Sequence, residues 1–274
     1  MTDDSEEPLA LSADALTALR EFYAERDAQT EKLEQLKALA EGDESERGDG
    51  SERVGGRGGG NEPELSIHTF TEDWNESQFW YSDETANLLA NQLLDGTSDK
   101  SAIAVVSTPS VFVALKNIMT AAGYTGPKPT TYLLEHDHRF AVFPEFVFYD
   151  FAHPFKLPAS LKGAVDGGMI CDPPFLSDDC QTKMAMTLRW LARKPSTSTT
   201  TTSSSSSSSS SSDAAGPRVL ICTGERMEPL VGRLYRPLGV RTTTYEPVHA
   251  GLKNEFLCYA NFECDAWQWK EAET

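Results

Sequence analysis

The sequence predicts an α/β protein built on a doubly wound, mostly parallel sheet. Three observations predict it: short apolar runs of strand length, apolar stripes at helical spacing between them, and two late apolar runs that read as a closing hairpin. Residues 102–107 read as a buried strand, and residues 110–122 carry Val111, Leu115, Ile118 and Met119 on one helical stripe. Residues 130–134, 146–149, 168–171 and 219–222 follow as further strands, with a second helix over 176–192. Residues 242–246 and 256–262 supply the hairpin. Near the amino end, residues 9–40 read as a helix. Ser12 is placed to cap it, Asp14 lies in its first turn, and Leu16, Leu19 and Tyr23 with Phe22 recur at helical spacing.

Composition narrows the class. The chain has 274 residues, 42 acids against 24 Lys and Arg, and a formal charge of −18. Apolar runs such as 102–106 exclude a wholly disordered chain, and no apolar stretch reaches the ~18 residues that cross a bilayer. The first residues are acidic, where a secretory signal would be basic and then apolar, so a soluble, cytoplasmic protein is expected. The five cysteines form no CxxC pair and read as reduced structural thiols.

Low-complexity blocks divide the chain. Residues 1–8 read as a disordered terminus, and 41–65 as a linker, with eight glycines between 42 and 64. Residues 195–216 read as an exposed insertion around a Ser/Thr-only tract. That leaves a folded domain over 66–264 and a tail over 265–274. Residues 1–66 hold 18 acids and 7 bases, and residues 67–274 hold 24 and 17. With no cluster of Lys and Arg to neutralise phosphates, nucleic acid is not the expected partner, and a basic protein fits the sign better.

Ligands of doubly wound sheets bind beyond the carboxyl ends of the strands, which makes the polar residues there the candidates. After the first strand come Ser107, Thr108, Pro109 and Ser110, followed by a helix whose amino terminus suits an anion or carboxylate. This is no GxGxxG loop, which argues against a dinucleotide dehydrogenase. The second strand ends Glu135-His136-Asp137, with acids placed for the hydroxyls of a ribose, and the third ends Tyr149-Asp150-Phe151, a carboxylate beside an aromatic face that suits an adenine. A metal site drawn from His136, His138 and Cys171 or Cys180 lacks a four-ligand spacing, and no metal is expected.

The fourth strand runs into Asp172-Pro173-Pro174-Phe175. Each proline fixes its own φ, holds the preceding residue extended and contributes no N–H. The result is an acceptor-only site, where a carboxylate and a fixed carbonyl grip the hydrogens of an amine and aim its lone pair, while Phe175 covers the cation formed on alkylation. A Pro-Pro turn capped by an aspartate is the bland alternative.

This tetrad resembles the Asp/Asn-Pro-Pro-aromatic motif of S-adenosylmethionine-dependent amino methyltransferases. With residues 11–25, Ser77-Gln78-Phe79-Trp80-Tyr81-Ser82, residues 146–150 and Asn254-Glu255-Phe256, the chain resembles the eukaryotic elongation factor 1-alpha lysine methyltransferase family, once labelled adenine-specific DNA methyltransferases. The resemblance implies a Rossmann-like seven-strand methyltransferase sheet with flanking helices and an antiparallel C-terminal hairpin. It also implies S-adenosylmethionine as methyl donor, elongation factor 1-alpha as protein substrate, and a monomer. On this basis Asp172, Pro173, Pro174 and Phe175 line the acceptor amine. Glu135 or Asp137 holds the ribose, Asp150 lies near the adenine, and Ser107, Thr108 and Pro109 border the methionine end. Phe79, Trp80, Tyr81 and Ser82 form a lid over the cofactor. The glycine-rich loop typical of methyltransferases at large is absent after the first strand. Two rivals stay open: methylation of an adenine amine in DNA or RNA, and an inactive cofactor-fold binding protein.

Overall fold

The computed structural model describes residues 13–46, 65–73, 77–194, 216–252 and 255–271. The expected disordered terminus, most of the linker and nearly all of the Ser/Thr insertion lie outside these residues, as do Trp74 and Asn254. The chain divides into two compact units, one made of the first helix with residues 68–71 and the other containing the sheet.

The first helix, α1 (Ala13–Glu46), runs six residues past its expected end at 40. A single glycine costs a helix only ~1 kcal/mol, and the glutamates around Gly42 are good helix formers, so the compositional change does not stop it. Leu16, Leu19 and Tyr23 are all exposed by about two-fifths, so the apolar stripe read there is not a core face.

The second unit is a seven-stranded sheet in the order β3-β2-β1-β4-β5-β7-β6. Its strands are β1 (Ala102–Val106), β2 (Thr130–Glu135), β3 (Phe146–Phe148), β4 (Gly168–Cys171), β5 (Arg218–Gly224), β6 (Arg241–Thr242) and β7 (Phe256–Ala260). The first five pair in parallel, and β7 lies antiparallel between β5 and β6. β1 is buried at every position, as befits a central parallel strand covered on both faces. Among the described residues, α2 (Asp83–Leu94) precedes β1, and α3 (Pro109–Thr120), α4 (Asp178–Leu191) and α5 (Glu228–Leu234) lie in the connections after β1, β4 and β5.

α2 was not anticipated from the sequence, although its signals are present. The Ser82 hydroxyl accepts the N–H of Thr85, Asp83 and Glu84 occupy the first turn, and Ala86, Leu89, Ala90, Leu93 and Leu94 are buried at helical spacing. The missing Cβ of Gly168 lets α2 close onto β4: a methyl group there would stand 3.0 Å from Leu93 Cδ2 and 3.2 Å from the Leu93 carbonyl oxygen.

The domain also extends past its expected end at 264. Trp267 is buried, its indole N–H donates to the Phe262 carbonyl at 3.0 Å, and its ring packs on Tyr245 and Phe262. Trp269 donates its ring N–H to Ala260 and lies under the Arg241 guanidinium. Aromatic area buried against the sheet edge makes the tail part of the fold. The five cysteines are free and all but Cys264 are buried.

The strand order reverses between β1 and β4, whose connections leave in opposite directions along the sheet. A crevice at the carboxyl ends of the strands follows from that reversal.

Candidate active site

That crevice holds a cavity of about 560 Å³. Of the fourteen residues expected in a site, thirteen line it: Asp172, Pro173, Pro174, Phe175, Phe79, Trp80, Tyr81, Ser107, Thr108, Pro109, Glu135, Asp137 and Asp150. Ser82 does not. Its hydroxyl is committed to capping α2.

The connection after β1 accounts for the missing glycine loop. Ser107 has φ +53°, the left-handed region that glycine favours, and its N–H donates to the Leu134 carbonyl at 2.9 Å. A serine therefore performs the sharp exit that glycine performs elsewhere, at a backbone cost of about 1–2 kcal/mol. A β-branched residue tolerates this conformation poorly. Ser107→Val is expected to lower stability by at least ~1 kcal/mol in thermal or chemical unfolding, whereas Ser107→Gly is expected to lose little.

Thr108, 2% exposed, follows at the amino end of α3, and its buried hydroxyl oxygen has no hydrogen-bond partner among the described residues. Thr108 lines the cavity at the positive end of a helix, and a buried hydroxyl without a partner there suits the carboxylate of an amino-acid moiety.

The two acids at the end of β2 are not equivalent. Asp137 is saturated: both its oxygens accept the Arg139 guanidinium, Gln78 donates to it at 3.0 Å, and it caps the following turn through the Arg139 N–H. Burial pushes its pKa up, but these hydrogen bonds outweigh it and hold the carboxyl below its ordinary value. Glu135 is 6% exposed, and its Oε1 accepts the N–H groups of His136 and Asp137 at 2.8 and 3.1 Å. Its other oxygen makes no hydrogen bond among the described residues. Burial raises its pKa from 4.5 to about 7 against the opposing effect of the two N–H donors. Of the pair, only Glu135 has an oxygen to offer a ribose.

Asp150 reaches the cavity with both oxygens engaged, one by the Ala152 N–H at 2.8 Å and the other by His153 Nδ1 at 2.7 Å. The His153 contact, foremost, holds its pKa down. His136 and His138, the residues of the rejected metal reading, both lie against the Phe148 ring.

Phe79, Trp80 and Tyr81 of the expected aromatic lid line the cavity. Trp80 and Tyr81 are 3% and 2% exposed, and Trp80 packs edge-on against Phe140 at 6.1 Å. The Trp80 N–H donates to Glu72 at 2.7 Å.

The tetrad leaves β4 as a continuation of the sheet, with the Asp172 N–H donating to the Val106 carbonyl at 3.2 Å. The Tyr81 hydroxyl donates to Asp172 Oδ2 at 2.6 Å, and His249 Nε2 stands 3.9 Å from the same oxygen. Phe175, 39% exposed, pairs with Phe151 at 5.6 Å, and the Gln181 amide of α4 donates to the Phe175 carbonyl at 3.4 Å. A fixed carboxylate, two prolines without N–H groups and an aromatic pair thus border one end of a cavity whose other end carries Glu135.

A profile of the family described as "Probable N6-adenine methyltransferase" matches residues 72–264, a span that contains every strand of the sheet and every residue of the cavity wall. The chain belongs to this methyltransferase family. Its relatives include the "Protein-lysine N-methyltransferase EFM5" of Saccharomyces cerevisiae, 36% identical over 262 residues and 94% of each chain. The "EEF1A lysine methyltransferase 1" of Homo sapiens is 32% identical over 263 residues and 95% of each chain. The Gallus gallus protein of the same name is 32% identical over 264 residues, 96% of this chain and 98% of its own. The family profile is described by adenine, while these relatives, alike over nearly their whole length, are named for lysine.

S-Adenosylmethionine, the methyl donor that the family implies, meets matching chemistry in the residues present. The orphaned Thr108 hydroxyl and the α3 amino terminus suit its carboxylate, the spare oxygen of Glu135 suits its ribose, and the carboxylates around the cavity suit its positive sulfur.

Proposed function

We propose that the protein is an S-adenosylmethionine-dependent protein-lysine N-methyltransferase that methylates a lysine of translation elongation factor 1-alpha. The observation that carries the chemistry is the Asp172 carboxylate, fixed at one oxygen and followed by two prolines, in the same cavity as Glu135 and the orphaned Thr108 hydroxyl. Support for the substrate comes from the relatives, of which the human and chicken proteins are named for this factor.

When bound, the cofactor supplies a methyl group on a positively charged sulfur. The chain supplies the geometry. Asp172 and a fixed carbonyl of the prolyl run accept the hydrogens of the lysine amine and aim its lone pair, and Phe175 with Phe151 faces the positive charge that develops on nitrogen. A free lysine has a pKa near 10.4, so the site must favour its neutral form. Burial in the cavity works in that direction. Asp172 favours the charged form, and its work is therefore orientation.

Methylation of nucleic acid is less well supported, because the cavity is lined by Glu135, Asp137, Asp150 and Asp172 while Arg139 is paired to Asp137. Incubation of the purified protein with labelled S-adenosylmethionine and, separately, elongation factor 1-alpha, DNA and RNA tests the choice. Label is expected on a lysine of the factor. Label on an adenine of the nucleic acid, with none on protein, would reverse it.

A further inference from the structure

Tyr81 and His249 stand behind the Asp172 carboxylate, and the geometry gives its two oxygens different tasks. The Tyr81 hydroxyl donates to Oδ2 at 2.6 Å, while Oδ1 makes no hydrogen bond among the described residues. Tyr81 is itself held tightly. Its N–H donates to the Ser110 hydroxyl at 3.4 Å, and its neighbours bond across to the 248–250 segment: Ser82 N–H to Val248 at 2.8 Å and Ala250 N–H to Trp80 at 2.9 Å. This short antiparallel contact lays the His249 ring on the Tyr81 ring, centroids 4.6 Å apart and tilted by 36°, and Phe256 of β7 meets the His249 ring edge-on, also at 4.6 Å. His249 Nε2, 3.9 Å from Oδ2, is beyond hydrogen-bond length, so the ring acts on Asp172 by packing Tyr81 in place.

We infer that Tyr81 and His249 are positioning residues that commit Oδ2 of Asp172 to the protein and leave Oδ1 as its one acceptor for the methyl-accepting amine. This rests on the methyl-transfer function proposed above. The consequence is geometric. A carboxylate with both oxygens free can rotate, or take two hydrogens of the amine at once, and either event turns the lone pair away from the methyl donor. With Oδ2 occupied, the amine places one hydrogen on Oδ1 and another on the prolyl carbonyl, which leaves its lone pair a single direction. Burial, foremost, and the nearby Asp172 keep the Tyr81 hydroxyl protonated and therefore a donor.

Tyr81→Phe removes only the hydroxyl and keeps the ring stack, and His249→Ala removes the stack and keeps the hydroxyl. Steady-state kinetics with elongation factor 1-alpha and calorimetric titration with S-adenosylmethionine separate the possible roles. Each variant is expected to lose about 10- to 100-fold in kcat, with KM for the protein substrate and cofactor affinity within about twofold of wild type. The double variant is expected to be little worse than either single one, because both act through the same oxygen. Normal kcat in Tyr81→Phe, or a loss of cofactor affinity in step with kcat, would overturn the inference while leaving the methyltransferase assignment intact. Absence of any methyl transfer by the wild-type protein would overturn both.

Discussion

Asp172→Ala is expected to lower kcat for methyl transfer by about 10²–10³-fold or more while cofactor affinity stays within about twofold. The size follows from what is removed. In the proposed reaction Asp172 is the side-chain acceptor that orients the nucleophile, and deletion of one preorganised polar contact at a reacting centre typically costs a factor of that order. The unchanged cofactor affinity follows from position: Glu135 and Thr108 lie at the ends of other strands, and the alanine backbone can still donate its N–H to Val106. Some stability should also be lost, about 1–3 kcal/mol, because the Tyr81 hydroxyl is left buried without its acceptor. Asp172→Asn separates the two effects. Its carbonyl oxygen can still accept one hydrogen bond, so its kcat should fall between those of wild type and alanine, with a smaller loss of stability. Single-turnover kinetics, calorimetry and thermal unfolding on the three proteins check the pattern, and an alanine variant with wild-type turnover would remove Asp172 from the chemistry.

The parts of the molecule that were legible in the sequence are those encoded locally. β1 and β4 are continuous apolar runs, α3 carries a clear stripe, and the acids and prolines that follow the strands stand where a doubly wound sheet places its ligands. The cavity wall was largely predictable for this reason. What escaped depends on contacts distant in sequence. Nothing around His249 marks it, since its position comes from backbone pairing between 248–250 and 80–82, and its partner Asp172 lies 77 residues away in a different connection. The saturation of Asp137 likewise needs Gln78, 59 residues earlier. Ser107 concealed the glycine-like turn because residue type suggests backbone conformation without dictating it. α2 is a different kind of miss. Its cap and periodicity are local and complete, and Ser82, at the end of the aromatic run, is the residue that begins the helix. Trp267 and Trp269 show that an aromatic pair in a short polar tail signals burial against the sheet edge rather than a free end.

Glu135→Gln is expected to weaken S-adenosylmethionine binding about 10- to 100-fold at pH 8 and to make the protein without cofactor more stable there than wild type. Both effects arise from burial of one carboxyl group. In the free protein its pKa is raised from 4.5 to about 7, so folding takes up a proton over the interval between those values. The sign follows from linkage: this group favours the folded state fully below pH 4.5, and the advantage is lost as pH rises through about 7, roughly 3 kcal/mol in all. Glutamine stays neutral and can accept the same two backbone N–H groups on its oxygen, so it avoids that loss. Cofactor binding reverses the preference. In the proposed complex, ribose hydroxyls donate to the carboxylate and the positive sulfur also favours the ionised form, so affinity should rise with pH up to about 7 and level off above it. The difference in unfolding temperature between Glu135→Gln and wild type, measured without cofactor, should therefore grow from pH 5.5 to pH 8. Calorimetric affinity should rise over the same range for wild type and stay comparatively flat for the variant. A variant that binds as tightly as wild type at pH 8 would show that the ribose is held elsewhere. A wild-type affinity independent of pH would show that the carboxyl does not change its charge on binding. A site that needs a charge where the empty fold resists one has its binding energy written into the pH dependence of both states.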